Sequence, residues 1–207
     1  MPEANTESRT TILKRRIGDY LDSLGSSAPT PGGGSAAGLI GALGASLGSM
    51  VVSLTFSEDA DVKAALDHAD ESLRALRDRF TGLAEADEAV YQAYRDAAAM
   101  PKGSAGERAV RRETMQQALK DAASVPLEAC AASVELAQTL VAVQQHGNPH
   151  LLSDAQIGML CAQTCFESSR INVNVNLAMI REDAWVTDVA NRVEELSSQL
   201  REHLQSS

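Results

Sequence analysis

Carboxylates, side-chain amides and a run of glycines are the groups in this sequence that could take part in chemistry. A carboxylate can act as a general acid or base, and an amide can both donate and accept hydrogen bonds. Consecutive glycines let another group approach the backbone closely. These groups are far apart in the sequence, so the elements that carry them must bring them together. The candidates are Gly32, Gly33, Gly34, Ser35, Asp87, Asn148, Asp154, Asn172 and Asn176.

The glycines open a long uncharged segment, because residues 28–56 read APTPGGGSAAGLIGALGASLGSMVVSLTF. Pro29 and Pro31 exclude a helix before the glycines, which form a loop free to adopt positive φ angles. Ser35 is a natural N-cap for a buried helix that continues to Phe56. The free N–H groups and the dipole at the start of such a helix favour an anion.

Small residues recur along this helix at spacings of four, three, four and three, which places them on one face. A glycine inside a helix costs about 1 kcal/mol relative to alanine, so we expect another helix backbone to pack very close to this face. The helix is long enough to span a bilayer, but it has no flanking Lys, Arg, Trp or Tyr, and we predict no membrane partner. The small residues are Gly34, Gly38, Gly41, Ala45 and Gly48.

The composition favours an all-helical protein, because only 3% of the 207 residues are aromatic and Ala, Leu, Glu, Gln and Arg are abundant. The length allows one substantial core. A net charge of −10 argues against a general nucleic-acid or anionic-membrane partner, but leaves room for a local basic site that binds a small anion.

Three cysteines and the lack of an apolar N-terminal signal region indicate reduced thiols and a cytoplasmic location. Cys161 and Cys165 lie one helical turn apart, and only His146 and His150 are near enough along the chain to join them in a metal site. We therefore expect core thiols and no metal.

Apolar residues recur at helical intervals, and no strand pattern or internal repeat is present. We predict an all-α bundle of about six helices, including long antiparallel ones, in one domain over residues 10–207 after a flexible segment at 1–9. Pro126 is expected to kink or restart the fourth helix, and Ser153 to cap the fifth. The predicted helices cover about 11–24, 35–57, 59–99, 104–145, 155–180 and 183–204.

Residues 30–55 closely resemble the opening segment of the cyclodeaminase/cyclohydrolase family. This family comprises the cyclodeaminase domain of formiminotransferase-cyclodeaminase and the free-standing methenyltetrahydrofolate cyclohydrolases. The turn at Pro101 and the segment around Pro126 also match the family, and the motifs extend from about residue 17 to 180. The resemblance implies an all-α fold, a tetrahydrofolate derivative as substrate and a homodimer, which the stripe of small residues also favours.

By the same resemblance, Asp87 is the first candidate for catalysis, because it aligns with a family Asp that is followed by a small residue and an aromatic one. Composition alone would make this acidic pair, Asp87 and Glu88, a solvated turn. Residues 147–155 match the family pattern G-N-x-x-x-x-S-D-A, which gives Asp154 an assisting or orienting role and Asn148 a binding role. Without the resemblance, this run is only a turn followed by a helix cap.

Asn172 and Asn176 are four residues apart in a helix that otherwise buries apolar groups, and they retain the family pattern N-V-x-x-N. Buried amides need hydrogen-bond partners. The two could satisfy each other or neighbouring carbonyls, or they could bind a pterin, and the sequence leaves both open. The resemblance also implies that Gly32–Ser35 shape the wall around the substrate.

Two charged segments bear on folate binding. Lys102, Arg108, Arg111 and Arg112 are either surface charge or receptors for the carboxylates of a folate glutamate tail. Family members follow Leu-Thr with a glycine- and lysine-rich stretch, whereas residues 56–61 here read FSEDAD and reverse the sign of the charge. If the family lysines hold an anionic folate, this protein binds folate differently, weakly or not at all.

The activity implied by the resemblance is hydrolysis of 5,10-methenyltetrahydrofolate to 10-formyltetrahydrofolate, with Asp87 as base or proton shuttle and no metal or redox cofactor. The alternative within the family is formiminotetrahydrofolate cyclodeaminase, in which folate N10 displaces ammonia from the same carbon. A free-standing chain without a transferase domain favours the cyclohydrolase. A helical binding module that has lost folate chemistry is the non-enzymatic alternative.

Overall fold

Six α-helices make up most of the structure, a computed structural model that describes residues 11–205. Short 3-10 turns at Ile12–Lys14 and Pro149–Leu151 precede α1 and α5, and the described residues contain no strand. The predicted all-α bundle of about six helices is confirmed, whereas the prediction for residues 1–9 lies outside the described residues. The helices are α1 (Ile17–Leu24), α2 (Gly33–Ser53), α3 (Ala60–Ala99), α4 (Ala105–His146), α5 (Leu152–Leu177) and α6 (Asp183–Gln205).

The two longest helices, α3 and α4, form an antiparallel hairpin joined by the short turn at 100–104. Asp59 caps α3, because its Oδ1 accepts from the N–H groups of Asp61 and Val62. Ser104 and Glu107 cap α4 by exchanging hydrogen bonds between side chain and backbone. These local caps explain why both helix starts were predictable from the sequence.

At the centre of the bundle, α2 runs antiparallel to both α3 and α5. A Cβ built on Gly38 would lie 2.8 Å from the carbonyl oxygen of Phe80 on α3, and one built on Gly44 would lie 2.9 Å from the carbonyl oxygen of Gly158 on α5. The predicted close approach of helix backbones is confirmed, but both neighbours belong to the same chain. A Cβ on any glycine of the stripe would meet atoms of α3 or α4, so the stripe is filled inside the bundle and gives no reason for a dimer.

The core between these helices explains the apolar character of α2 and α4. Both helices are long and apolar enough to cross a membrane by length and composition alone, but half of each apolar window is buried within the bundle. The larger side chains of the core that are fully buried include Leu73, Phe80, Leu136, Leu140 and Phe166.

Pro126 lies inside α4, which continues through it without the expected restart. A proline has no N–H for the carbonyl four residues earlier, which here belongs to Ala122. Asn176 of α5 supplies the missing donor, because its Nδ2 lies 3.0 Å from the Ala122 oxygen. A contact between helices thus satisfies the backbone group that the proline leaves unpaired.

Candidate active site

A carboxylate from α3 caps the N-terminus of α2. The Ser35 N–H donates to Oδ2 of Asp87 over 3.0 Å. The prediction of Ser35 as the N-cap is wrong, because α2 begins at Gly33 and a residue distant in sequence takes the place of a local cap. The anion that this helix end favours is therefore the side chain of Asp87.

Gly34 is required by this contact rather than by its backbone conformation. A Cβ built on Gly34 would lie 2.1 Å from Oδ1 of Asp87, whereas one built on Gly32 or Gly33 meets no atom within 4 Å. No glycine in residues 11–205 has a positive φ angle, so the loop conformation that the glycines allow is not used. Of Gly32, Gly33 and Gly34, only Gly34 has the Asp87 carboxylate in the space that a Cβ would fill.

The segment around α1 fixes the same junction from the other side. Tyr20 donates through its hydroxyl to Oγ of Ser35 over 3.2 Å, and both side chains are buried. The Ile12 N–H donates to Oε1 of Glu85 over 2.7 Å, which ties the chain to α3 as well. Sequence reasoning missed the role of Tyr20, because its position in α1 predicted only an apolar contact.

Burial raises the pKa of Asp87 above its ordinary value of 3.8. The hydrogen bond from Ser35 opposes this effect, and the neighbouring carboxylate of Glu88 raises the pKa further. Glu88 is buried and pairs with Arg15 through Oε2 at 3.2 Å, while its Oε1 has no hydrogen-bond partner among the described residues. These surroundings make Asp87 a stronger base than an exposed carboxylate, as proton transfer requires.

A cavity of about 290 Å³ opens beside Asp87 where α2, α3, α4 and α5 meet. It brings together four groups predicted from the sequence: the triple glycine, Asp87, Asn172 and Asn176. Tyr91 and Tyr94 add aromatic surface to the α3 wall. A cleft with apolar walls and a few convergent polar groups is typical of a small-molecule site.

The amide of Asn176 is oriented by its own hydrogen bonds. Its Nδ2 donates to the carbonyl oxygens of Ala122 and Asn172, each over 3.0 Å. Both amide hydrogens are thereby engaged, and Oδ1 remains as an acceptor on a residue that lines the cavity. Pairing with carbonyls and binding a ligand are therefore compatible for this side chain.

Asn148 and Asp154 lie at the opposite end of the bundle, and one chain does not bring them to the cavity. Asn148 joins the α4–α5 turn to the end of α2, with its N–H donating to Oγ1 of Thr55 over 2.8 Å and its Nδ2 to the Leu54 oxygen over 3.1 Å. At 1.5 Å per residue, Asp154 is about 27 Å from Asn172 along α5. A single chain therefore does not bring these residues together with Asp87, and the roles given to them stay predictions.

Ser153 is also placed differently from its prediction. The helix α5 begins at Leu152, one residue earlier, and has no side-chain cap. The side chain of Asn148 instead accepts from the His150 N–H over 3.0 Å and caps the preceding 3-10 turn. The turn between α4 and α5 is therefore stabilised by Asn148 and not by a cap from Ser153.

Two of the four predicted basic side chains serve the turn between α3 and α4. Arg108 donates to the carbonyl oxygens of Lys102 and Gly103, and Arg111 donates to that of Ala98. The acidic segment 56–61 follows the C-terminal end of α2, far from the triple glycine at its N-terminus. Within one chain, the reversed charge is therefore not beside the cavity.

A larger groove of about 540 Å³ runs between α3 and α4, but its chemistry is weaker. Four of its eleven lining residues are alanines, and its guanidinium, on Arg79, pairs with Glu128 and, over 2.8 Å, with Glu135. Polar groups that already pair with each other offer little to a ligand.

The cysteines belong to the packing of the bundle. Burial raises the pKa of Cys130 to about 12, and burial also raises the pKa values of Cys161 and Cys165. Cys130 and Cys165 are buried, as expected of core thiols, and Cys161 is partly exposed. Over residues 11–205, no group of three or more His, Cys, Asp or Glu side chains is arranged to hold a metal ion.

Comparison with known proteins identifies relatives over nearly the whole chain. The methenyltetrahydrofolate cyclohydrolase of Methylorubrum extorquens is 37% identical over 188 residues, which cover 90% of this chain and 89% of that protein. The formimidoyltransferase-cyclodeaminase of Rattus norvegicus is 29% identical over 95% of this chain, which spans only 36% of that longer protein.

The fold has a counterpart among solved structures. The crystal structure of formiminotetrahydrofolate cyclodeaminase from Thermotoga maritima aligns with a TM-score of 0.84 and 26% identity, covering 94% of both chains. The family model described as Formiminotransferase-cyclodeaminase matches residues 16–195. This chain therefore belongs to the formiminotransferase-cyclodeaminase family.

Proposed function

We propose that this protein hydrolyses 5,10-methenyltetrahydrofolate to 10-formyltetrahydrofolate at the cavity beside Asp87. The observation that carries the proposal is the partly buried carboxylate of Asp87, which has a raised pKa and faces a cavity lined by backbone, amide and aromatic groups. The 37% identity to a cyclohydrolase of similar length supports this choice of substrate.

The reaction needs one group that takes a proton from water and returns it. The methenyl carbon lies in a cationic amidinium, so it is electrophilic without a metal or a redox cofactor. Water adds to this carbon as Asp87 accepts one of its protons, which gives a neutral tetrahedral adduct. Asp87 then gives that proton to ring nitrogen N5 as the C–N5 bond breaks, and the second water proton is released as the formyl carbonyl forms. Such a general acid–base group contributes about 10²- to 10⁴-fold in rate.

The remaining groups of the cavity are proposed to hold the substrate. The negative charge of Asp87 favours a cationic substrate beside it. The free acceptor of Asn176 suits an N–H donor on the pterin, and Tyr91 and Tyr94 offer aromatic surface to its ring system. The exposed cations Lys102 and Arg112 remain candidates for the glutamate tail.

A second candidate is the cyclodeaminase reaction, and one observation favours it. The Thermotoga chain is named formiminotetrahydrofolate cyclodeaminase, and it is similar in length to this chain, since the alignment covers 94% of each. A chain of this length therefore does not favour the cyclohydrolase by itself, and the higher identity to the Methylorubrum protein is the better argument.

Assays with both substrates test the proposal. We expect the protein to accelerate the absorbance loss of 5,10-methenyltetrahydrofolate and to release no ammonia from formiminotetrahydrofolate. Ammonia release with formation of the methenyl compound would instead support the cyclodeaminase. Binding of either compound without turnover would leave a helical binding relative of the enzymes.

We also propose a cytoplasmic homodimer. Three thiols without a disulfide suit a reducing compartment. Several large apolar side chains of α2 and α5 are exposed in the single chain, which favours a partner surface. A stable monomer in sedimentation at micromolar concentration would contradict the dimer.

A further inference from the structure

We propose that Tyr20 and Arg15 are positioning residues for Asp87. Tyr20 orients the carboxylate through Ser35. Arg15 offsets the negative charge of Glu88, the next residue on α3. The inference rests on the proposed function for the proton transfer that these residues serve. Two of its tests read the charge and the position of the carboxylate directly and need no folate turnover.

The chain from the first 3-10 turn to the end of α1, which we call the N-terminal segment, contacts α3 on both sides of Asp87 in the sequence. The Ile12 N–H donates to Oε1 of Glu85 over 2.7 Å, two residues before Asp87. Arg15 donates through Nη2 to Oε2 of Glu88 over 3.2 Å, one residue after it. The N-terminal segment is therefore bonded to the part of α3 that carries the proposed base.

Two successive hydrogen bonds connect Tyr20 to the carboxylate. The Tyr20 hydroxyl donates to Oγ of Ser35 over 3.2 Å, and the Ser35 N–H donates to Oδ2 of Asp87 over 3.0 Å. Ser35 lies in the first turn of α2, where an N–H has no acceptor within the helix, so this donor is free for the carboxylate. The side chains of Tyr20 and Ser35 are both buried, so bulk water does not compete for their hydrogen bond. Tyr20 thereby holds the residue whose N–H holds the carboxylate.

The carboxylate of Glu88 depends on Arg15 for its charge balance. Glu88 is 7% exposed, and its Oε1 has no hydrogen-bond partner among the described residues. A buried carboxylate needs a counter-charge, because burial removes the stabilisation that water gives it. Arg15 supplies this charge at Oε2. Without Arg15, the charge of Glu88, which raises the pKa of Asp87, would act on Asp87 uncompensated.

The other helices packed around Asp87 bring no charged side chain to it. In the part of the chain that the structure describes, α2, α4 and α5 contribute only uncharged residues to the two cavities that Asp87 lines. The titratable groups facing this part of α3 therefore come from α3 itself and from the N-terminal segment, and the cation among them is Arg15. These groups are Glu85, Glu88, Tyr91, Tyr94, Arg15 and Tyr20.

The two contacts have separate consequences for proton transfer. A carboxylate can take a proton from water only while it is ionised. Burial and the charge of Glu88 both raise the pKa of Asp87, which makes it a stronger base but moves its ionisation toward neutral pH. Arg15 limits the second of these effects, while Tyr20 keeps the carboxylate at the cavity. The N-terminal segment thus sets both the basicity and the orientation of Asp87.

Titration of the Asp87 carboxyl carbon by NMR tests the role of Arg15 without reference to activity, with Asp87→Asn assigning the signal. Arg15→Gln should move the titration midpoint to higher pH, and Arg15→Gln/Glu88→Gln should return it to the wild-type value or below. Arg16→Gln is the matched control, because Arg16 is adjacent, exposed and carries the same charge. Equal midpoints for Arg15→Gln and Arg16→Gln overturn the role of Arg15. If Arg15→Gln does not fold, Glu88→Gln alone decides, since it should lower the midpoint.

Hydrogen exchange of the Ser35 amide tests the role of Tyr20, again without substrate. Tyr20→Phe keeps the ring and removes the hydroxyl. The Ser35 amide should then exchange about 2- to 10-fold faster relative to the amides of α6, as expected for one lost neutral hydrogen bond. An unchanged relative rate overturns the role of Tyr20.

Kinetics connect both contacts to the proposed reaction. In methenyltetrahydrofolate hydrolysis, Tyr20→Phe should lower kcat by about 2- to 10-fold with KM within about twofold of the wild type, and adding Ser35→Ala should lower kcat no further. Arg15→Gln should instead move the acid limb of the kcat profile to higher pH. Effects of Tyr20→Phe and Ser35→Ala that multiply would refute the path through Ser35. A wild type without turnover refutes the proposed function alone, since the titration and the exchange rates still decide the roles of Arg15 and Tyr20.

Discussion

Replacement of Gly34 by alanine is a direct test of how Asp87 is held. The new Cβ would lie 2.1 Å from Oδ1 and 2.4 Å from Cγ of Asp87, distances that real Cβ contacts do not show. The α2 backbone is packed against α3 and α5 and cannot retreat, so the carboxylate must leave. Its hydrogen bond with the Ser35 N–H is then lost.

The expected sizes of the two effects differ. Loss of a hydrogen bond to a charged group costs about 1.5–3 kcal/mol, and alanine in place of a helical glycine returns about 1 kcal/mol. The free energy of unfolding should therefore fall by about 0.5–2 kcal/mol. Turnover should fall by about 10²-fold or more, because the base has left its position.

Gly106→Ala is the matched control, since Gly106 lies in the first turn of α4, does not line the cavity and has no atom within 4 Å of an added Cβ. Urea unfolding and the methenyltetrahydrofolate absorbance assay should be run on both variants and the wild type. We expect Gly106→Ala to keep the activity within about threefold and to lose no stability. If Gly34→Ala matched this control in both assays, the contact between Gly34 and Asp87 would be refuted.

Three further predictions follow from individual contacts. Folding raises the pKa of Asp87, so the folded protein binds this proton more tightly than the unfolded chain does. The free energy of unfolding of the wild type should therefore fall relative to that of Asp87→Asn as the pH rises from below 3.8 through the raised pKa. Urea unfolding at several pH values checks this, and an opposite trend would contradict it. Asn176→Ala should lower the free energy of unfolding by about 1 kcal/mol more in the wild type than in a Pro126→Ala background, because alanine at 126 supplies its own N–H to the Ala122 carbonyl. A double-mutant cycle with no coupling would exclude this pairing. Gly82→Ala should raise the free energy of unfolding by about 0.5–1 kcal/mol, since Gly82 is exposed inside α3 with open space around its Cα; no gain in a denaturant midpoint would argue against a regular helix there.

The fold was predictable wherever local chemistry decides it. The Asp59 and Ser104 caps set the starts of α3 and α4, and the stripe of small residues indicated close helix packing. The helices that pack against this stripe were not predictable, because glycines accept a helix backbone of the same chain as readily as one of a second chain. The assumption that the stripe forms a dimer contact failed for this reason.

The errors at helix starts have a common physical cause. Ser35 was expected to cap α2 from its sequence position, but a carboxylate that lies 52 positions later in the chain supplies the cap. Pro126 was expected to kink or restart the fourth helix, but α4 does not restart there, and Asn176 pairs with the freed carbonyl. In both cases a tertiary hydrogen bond replaces the local one, and no local pattern reports such a bond.

The candidate site was half predictable. Asp87, the triple glycine, Asn172 and Asn176 line one cavity, as the resemblance implied, although their roles in binding and catalysis remain predictions. Asn148 and Asp154 lie at the other end of the bundle, with Asp154 about 27 Å from Asn172 along α5. Motif order carries no information on which end of a bundle a segment occupies.

The most direct test of the central claim is the rate of 5,10-methenyltetrahydrofolate hydrolysis by Asp87→Asn compared with Asp78→Asn. Asp78 lies on the same helix as Asp87 but is exposed and pairs with Arg77. We expect a loss of about 10²- to 10⁴-fold in kcat for Asp87→Asn and wild-type turnover for Asp78→Asn. Wild-type turnover by a folded Asp87→Asn variant would contradict the assignment of the proton-transfer group to this cavity.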